Sequence, residues 1–222
     1  MTEAGRVVPK GVLPLRLLAL VVVAAAVAGT VGGVLGHRLQ AAAPPVASSL
    51  PDLHGQAVWT AGERPAPAFA LRDQRGALVS LAALRGRPVL LTFLDSRCHS
   101  ACPIAGRQLA SVLRRMRAAT RPTLVVVSVD QTGDTRAAID RASRTWGLAG
   151  PWRWHWLNAS RAHLAAVWRS YGIAVEPTSK DIVHGLTLYL IDRRGYERTA
   201  YLFPFLPAFV QGDLARLAGE RT

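Results

Sequence analysis

The pattern of apolar and polar positions divides the chain into four stretches. Residues 17–36 are 20 consecutive positions without a charge, rich in Leu, Val and Ala. At about 1.5 Å of rise per residue they make roughly 30 Å of helix, the thickness of a hydrocarbon core. Residues 1–16 are polar and net basic, with Arg6, Lys10 and Arg16 against Glu3. A cationic flank of this kind stays on the cytoplasmic side, which predicts a single-pass anchor with everything after Arg38 outside the cytoplasm. A cleavable signal peptide is the rival reading. Its apolar core usually spans only about 7–15 residues, although Ala41-Ala42-Ala43 offers a small-residue cleavage site. Residues 37–66 lose all clear period and collect Ala, Pro, Ser and Gly, including Pro44-Pro45 and Pro65-Ala66-Pro67. They read as a flexible tether, with His54 as a solvated loop residue within it.

From residue 67 to residue 222 the periods are those of a folded domain. Alternation over 69–73, a turn at Gln74-Arg75-Gly76 and a return over 78–81 predict a β-hairpin, with Ser80 capping a short turn over 81–84. The apolar runs 88–94 (PVLLTFL) and 122–129 (PTLVVVSV) are strand-length and buried in character. Helical periods are expected over 104–117, over 135–146 after the turn Gln131-Thr132-Gly133-Asp134, and over 161–171 behind Ser160 as N-cap. Trp152, Trp154 and Trp156 alternate, which predicts three indoles on one strand face as packing surface. His163 lies beside the apolar stripe of its helix and reads as a surface residue. After a loop over 172–183 come a strand over 186–191, a turn at Asp192-Arg193-Arg194-Gly195, a last strand near 199–203 and a helix over 206–218. Helices interleaved with apolar strands, and hairpins at either end, predict an α/β domain.

Composition changes this picture at one point. The formal net charge is +13, and Lys10 and Lys180 are the only lysines. The arginines are spread along the chain, densest at Arg114, Arg115 and Arg117, and no zinc-finger or RNA-binding signature accompanies them. Nucleic-acid binding is therefore not expected. A solvated basic surface near anionic headgroups fits better.

The only two cysteines, Cys98 and Cys102, stand four residues apart between the strand 88–94 and the helix that follows it. Pro103 is suited to the first turn of a helix, which puts Cys102 at or near the N-cap and Cys98 in the loop before it. The positive end of the helix dipole favours thiolate, and Arg97 and His99 alongside would add to this when charged. Such a pair can form a structural disulfide, turn over as a redox-active dithiol or hold a soft metal ion. A disulfide closing so short a loop stabilises little. As a metal site the pair is incomplete, and His184, ahead of the strand 186–191, is the leading third candidate.

The segments FALRDQRGALVSL, LRGRPVLLTF, CHSACP, VSVDQTGDT and HGLTLYLIDRRG, in this order, resemble the Sco (SenC-like) family. Its members are membrane-anchored, thioredoxin-like proteins that handle copper during cytochrome c oxidase assembly. The resemblance runs from about residue 68 to the C-terminus. It implies a thioredoxin-like fold with an N-terminal β-hairpin extension, preceded by a single transmembrane helix. It also implies that Cys98, Cys102 and His184 are ligands of Cu(I) or Cu(II); His99 is a candidate for tuning the site and not for ligation. Ser100 stands where Asp is common in the family, His99 where Pro or Thr is, and Gln131 where Pro is usual. The segment Trp156–Ala159 replaces a common Leu-Thr-Gly sequence.

The function implied is a metallochaperone of the cell membrane, not an enzyme, delivering copper to the exported domain of a copper-containing respiratory oxidase. Another copper donor or a thiol–disulfide protein is a further expected partner. The alternative is a membrane-anchored thiol–disulfide oxidoreductase, with Cys98 and Cys102 as its redox pair, keeping partner cysteines reduced. Three intervening residues, where the thioredoxin motif has two, argue against a general reductase. A peroxidase of the peroxiredoxin kind lacks its threonine-and-proline setting, since Asp95-Ser96-Arg97 stands there.

Overall fold

The computed structural model describes residues 52–178 and 181–220; the predicted anchor over 17–36 and most of the tether lie outside them. Among the described residues no helix is long and apolar enough to cross a membrane. Ten strands and four α-helices follow one another among the described residues. The first half comprises β1 (Ala57–Val58), β2 (Ala70–Asp73), β3 (Leu78–Ser80), β4 (Val89–Leu94), α1 (Ala101–Arg115), β5 (Thr123–Ser128) and α2 (Arg136–Trp146). The second half comprises β6 (Trp154–Asn158), α3 (Arg161–Ser170), β7 (Val175–Pro177), β8 (Ile182–His184), β9 (Thr187–Ile191), β10 (Glu197–Leu202) and α4 (Pro207–Gly219).

Eight strands make one mixed sheet in the order β1-β10-β9-β4-β5-β6-β2-β3. β4, β5 and β6 run parallel, with Val89 opposite Thr123 and Leu124 opposite Trp154. β9 returns antiparallel to β4, Thr92 opposite Leu188. This polarity brings the end of β4, which leads into the cysteine loop, beside the start of β9, just after His184.

The sheet is buried on both faces, as its continuous apolar runs require. Leu90, Leu94, Leu124, Val126, Leu188 and Leu190 point one way, onto α1, α2 and α4. Val89, Leu91, Phe93, Val125, Val127, Tyr189 and Ile191 point the other way, onto α3 and the β2–β3 hairpin. Trp156 is fully buried in the first cluster, with Trp152 and Trp154 packed against it, so the three indoles share a face as their alternation predicts. Thr135 caps α2 by accepting from Ala138 N–H at 3.2 Å, and Gly147 ends that helix at φ +75°. Ser160 occupies the N-cap position of α3, but its hydroxyl meets His163 Nδ1 at 3.0 Å instead of a helix amide.

The fold departs from the sequence reading in three places. Residues 52–66, expected as tether, belong to the domain. β1 pairs with β10, Ala57 opposite Ala200, and Arg64 forms an ion pair with the buried Glu197 at 2.5 Å. His54 is not a free loop residue: its backbone N–H and its Nδ1 both meet the fully buried Asp213 of α4, at 2.8 and 2.7 Å. Its ring also stacks on Phe209 with centroids 4.6 Å apart. Within the expected loop 172–183, β7 and β8 pair as a separate antiparallel hairpin, Val175 opposite His184. Finally, α1 begins at Ala101, three residues before the expected Ile104, with Ser100 as its N-cap.

Candidate functional site: a dithiol facing a histidine

β4 delivers the chain to Asp95, and a turn closed by Cys98 N–H donating to Asp95 C=O at 3.3 Å carries it to the cysteines. Cys98 is 9% exposed and Cys102, in the first turn of α1, is 1% exposed. Neither is in a disulfide. The Ser100 hydroxyl lies 3.5 Å from the Cys98 sulfur.

Donation from Cys102 is the largest cause that holds the Cys98 thiol far below its ordinary range, against the opposing effect of burial. Cys102 moves the other way. It is raised first because its proton is shared with Cys98, and second by burial. The pair thus divides its labour, with the outer sulfur the thiolate and the inner one the proton carrier. Cys98 thus moves in the direction expected of a thiol at a helix start, though chiefly through Cys102, and Cys102 moves in the opposite one.

Cys102 has a second neighbour. His184, half-buried at the end of β8, places Nε2 3.7 Å from Cys102 Sγ. Its Nδ1 is 3.1 Å from Gly185 C=O, and a carbonyl can only accept, so Nδ1 carries the proton and the Nε2 lone pair faces the sulfur. A backbone carbonyl behind one imidazole nitrogen is the arrangement that orients histidines at metal sites. An edge of 3.7 Å between S and N also matches bonds of about 2.3 Å to sulfur and about 2.0 Å to nitrogen around one ion, the lengths seen at zinc. Among the described residues no group of three His, Cys, Asp or Glu side chains is gathered as a finished cage. Cys102 is instead the hinge of two pairs, one with Cys98 and one with His184.

Behind the dithiol lies a network that residue spacing alone does not signal. Arg97, read as a charge beside the thiols, is committed to Asp130 at the turn after β5, its Nε donating to Oδ2 at 2.8 Å. Gly133 makes this possible, because a Cβ there would stand 2.0 Å from Arg97 Nε and 1.8 Å from Asp130 Oδ2. Asp134 accepts from Ser96 N–H at 2.8 Å, from Trp156 Nε1 at 3.1 Å and from the Ser128 hydroxyl. Burial pushes the Asp95 carboxyl up, opposed by the Arg97 N–H it accepts at 2.7 Å. A cleft of about 390 Å³ lined by Asp95, Arg97, His99, Asp130, Asp181 and Ile182 opens beside the cysteine loop, and exposed His99 stands at it without touching a sulfur.

Known proteins share this fold. The SCO1/SenC family model matches residues 60–218. The Bos taurus protein SCO2 homolog, mitochondrial, is 31% identical over 143 residues, covering 57% of this chain. The chain spans about half the length of that curated relative, 50% of it. The structure of Bradyrhizobium japonicum ScoI with copper bound is 26% identical, with a TM-score of 0.58 over 69% of this chain and 99% of that one. BsSco, a member of the Sco family of cytochrome c oxidase assembly proteins in which a disulfide switch was identified, shares the fold. It is 18% identical, with a TM-score of 0.61 over 75% of this chain and 100% of that one. The mixed α/β fold described above is the thioredoxin-like fold of these proteins, and the chain belongs to the SCO1/SenC family.

Proposed function

We propose that the chain is a copper-binding metallochaperone that delivers copper to the exported domain of a respiratory oxidase. The observation that carries the reading is the orientation of His184. Its Nδ1–H is tied to Gly185 C=O, and its Nε2 lone pair is aimed at Cys102 Sγ from 3.7 Å. A metal ion that displaces the Cys102 proton would meet two thiolates and one neutral imidazole, a soft donor set that suits Cu(I) and can also hold Cu(II). The copper-bound relative from Bradyrhizobium japonicum supports copper over other thiophilic ions. The apolar run over 17–36 would hold the domain at the outer face of the cell membrane, within reach of an integral oxidase.

Copper titration of the purified reduced protein tests this directly. One copper per chain is expected, with a thiolate-to-Cu(II) absorption band that disappears in Cys98→Ser and Cys102→Ser. Unchanged affinity and spectrum in His184→Ala would remove His184 from the site.

A second reading rests on the asymmetry of the thiols. A low-pKa outer sulfur at Cys98 and a protonated, buried partner at Cys102 form the layout of a reductant. The Cys98 thiolate would attack a partner disulfide, releasing one partner thiolate and forming a mixed disulfide. Cys102 would then give up its proton and displace the second partner thiol, closing Cys98–Cys102 and passing two electrons to the partner. Loading a recipient through its cysteines needs those cysteines reduced, so both steps suit one protein. A dithiol reduction potential no lower than that of the partner's disulfide would sink the second reading and leave the first intact.

A further inference from the structure

The opposite end of the sheet carries a second constellation. The parallel run of β4, β5 and β6 gathers the segments that lead into them at the end away from Cys98. A cleft of about 360 Å³ opens there among Arg87, Arg121, Trp152 and Arg153. No acid lines it, and among the described residues none of these arginines enters an ion pair. The segments that form it supply none, since no Asp or Glu occurs between Asp73 and Asp95, between Asp95 and Asp130, or between Asp140 and Glu176.

Two of the guanidinium groups are held in place without being neutralised. Arg87 Nη1 donates to Arg121 C=O at 2.8 Å and to Ala118 C=O at 3.3 Å. Arg121 Nη2 donates to Met116 C=O at 2.8 Å and Nη1 to Pro151 C=O at 3.3 Å, while its Nε is buried with no partner. The Arg121 guanidinium also lies 5.6 Å from the Trp152 ring centroid, and that indole is fixed by donating to Leu148 C=O at 2.9 Å. Carbonyls orient these forks but leave their full charge and several N–H donors available. Exposed Arg153 adds a third guanidinium at the rim.

We propose that this cleft binds a phosphate group, carried either by a soluble phosphate compound or by the headgroup of an anionic phospholipid. A carboxylate offers two oxygens and satisfies one guanidinium fork. A tetrahedral phosphate presents oxygens in several directions and can engage two or three forks at once. The cleft shares no residue with the dithiol site, so failure of copper binding leaves this proposal standing, and the reverse also holds.

The test uses the metal-free full-length chain in uncharged maltoside micelles at low salt, titrated calorimetrically with pyrophosphate. A parallel arm uses short-chain phosphatidylglycerol, with short-chain phosphatidylcholine as its zwitterionic counterpart. Saturable binding of one pyrophosphate per chain is expected, weakened about tenfold or more in Arg87→Gln and in Arg153→Gln. Arg136→Gln, which removes an exposed arginine at the dithiol end, should change nothing. Arg153 is exposed, so its variant remains informative if Arg87→Gln fails to fold. Tighter binding of phosphatidylglycerol than of pyrophosphate assigns the site to a headgroup, and the opposite order assigns it to a soluble phosphate. No saturable binding of either probe at millimolar concentration, or equal affinity in wild type and Arg153→Gln, overturns the proposal.

Discussion

Arg97 reaches Asp130 across the bare α-carbon of Gly133, and this contact fastens the cysteine loop to the turn after β5. The Arg97 side chain is 61% exposed and that of Asp130 only 5%, so the ion pair is screened on one side and its worth lies in geometry more than in Coulomb energy. Gly133→Ala forces the two apart, because its Cβ has no room between them. The expected loss is about 1 kcal/mol of stability together with weaker copper binding, read by urea denaturation and copper titration. Wild-type behaviour in both would show that the loop holds its shape without the pair.

The shared proton of the dithiol should set the order of chemical modification. With Cys98 held low chiefly by the Cys102 thiol, iodoacetamide should label Cys98 rapidly at pH 6, where an ordinary thiol is almost inert, and leave Cys102 untouched. Replacing the donor in Cys102→Ala should move the midpoint of the Cys98 pH–rate profile upward. Peptide mass mapping after a short pulse distinguishes the two sites, and equal labelling at both would contradict the assignment.

Asp134 predicts a pH dependence of stability. Burial pushes its carboxyl up to about 6 from the ordinary 3.8, despite the donors around it. The folded state therefore holds the proton more tightly than the unfolded chain. The contribution is complete below about pH 4 and is lost as pH rises through about 6. A shift of this size is worth about 3 kcal/mol. Compared with Asp134→Asn, the wild type should lose that much relative stability between about pH 4 and pH 7. Parallel pH profiles for the two proteins, from denaturant midpoints, would refute the assignment.

The His54–Asp213–Tyr201 cluster predicts how the N-terminal segment is held. Asp213 is 0% exposed and accepts from His54 twice and from the Tyr201 hydroxyl. Tyr201→Phe removes one of these donors and leaves a buried carboxylate short, at a cost of about 1–3 kcal/mol. Faster hydrogen exchange should appear at His54 N–H first, before the core strands respond. A uniform rise in exchange across the domain would mean that the cluster serves the whole core and not the segment.

What the sequence shows of this fold depends on how far apart the cooperating residues are. β4, β5 and β9 are legible because an apolar run between turn residues has few other fates, and α2 because Thr135 and Gly147 mark its ends. β1 is invisible, since its two residues become a strand only by meeting Thr199 and Ala200 of β10. β7 and β8 are too short and too exposed to carry a period. At the site, the two cysteines stand out by residue type, and His184, one of six histidines, by its place ahead of β9 and by the family resemblance. The tie between Arg97 and Asp130, 33 residues apart, does not, and neither does the split between the thiols, which turns chiefly on the proton that Cys102 shares with Cys98.

The ends of the strand order have a consequence for solubility. An open sheet of eight strands has two outer margins, where unpaired N–H and C=O groups could recruit a strand from another copy. Here the margins are β1, with two residues, and β3, with three. Neither is long enough to template a ladder, so the long apolar strands between them are shielded from intermolecular pairing. Strand-to-strand recruitment between copies of the described domain is thereby disfavoured.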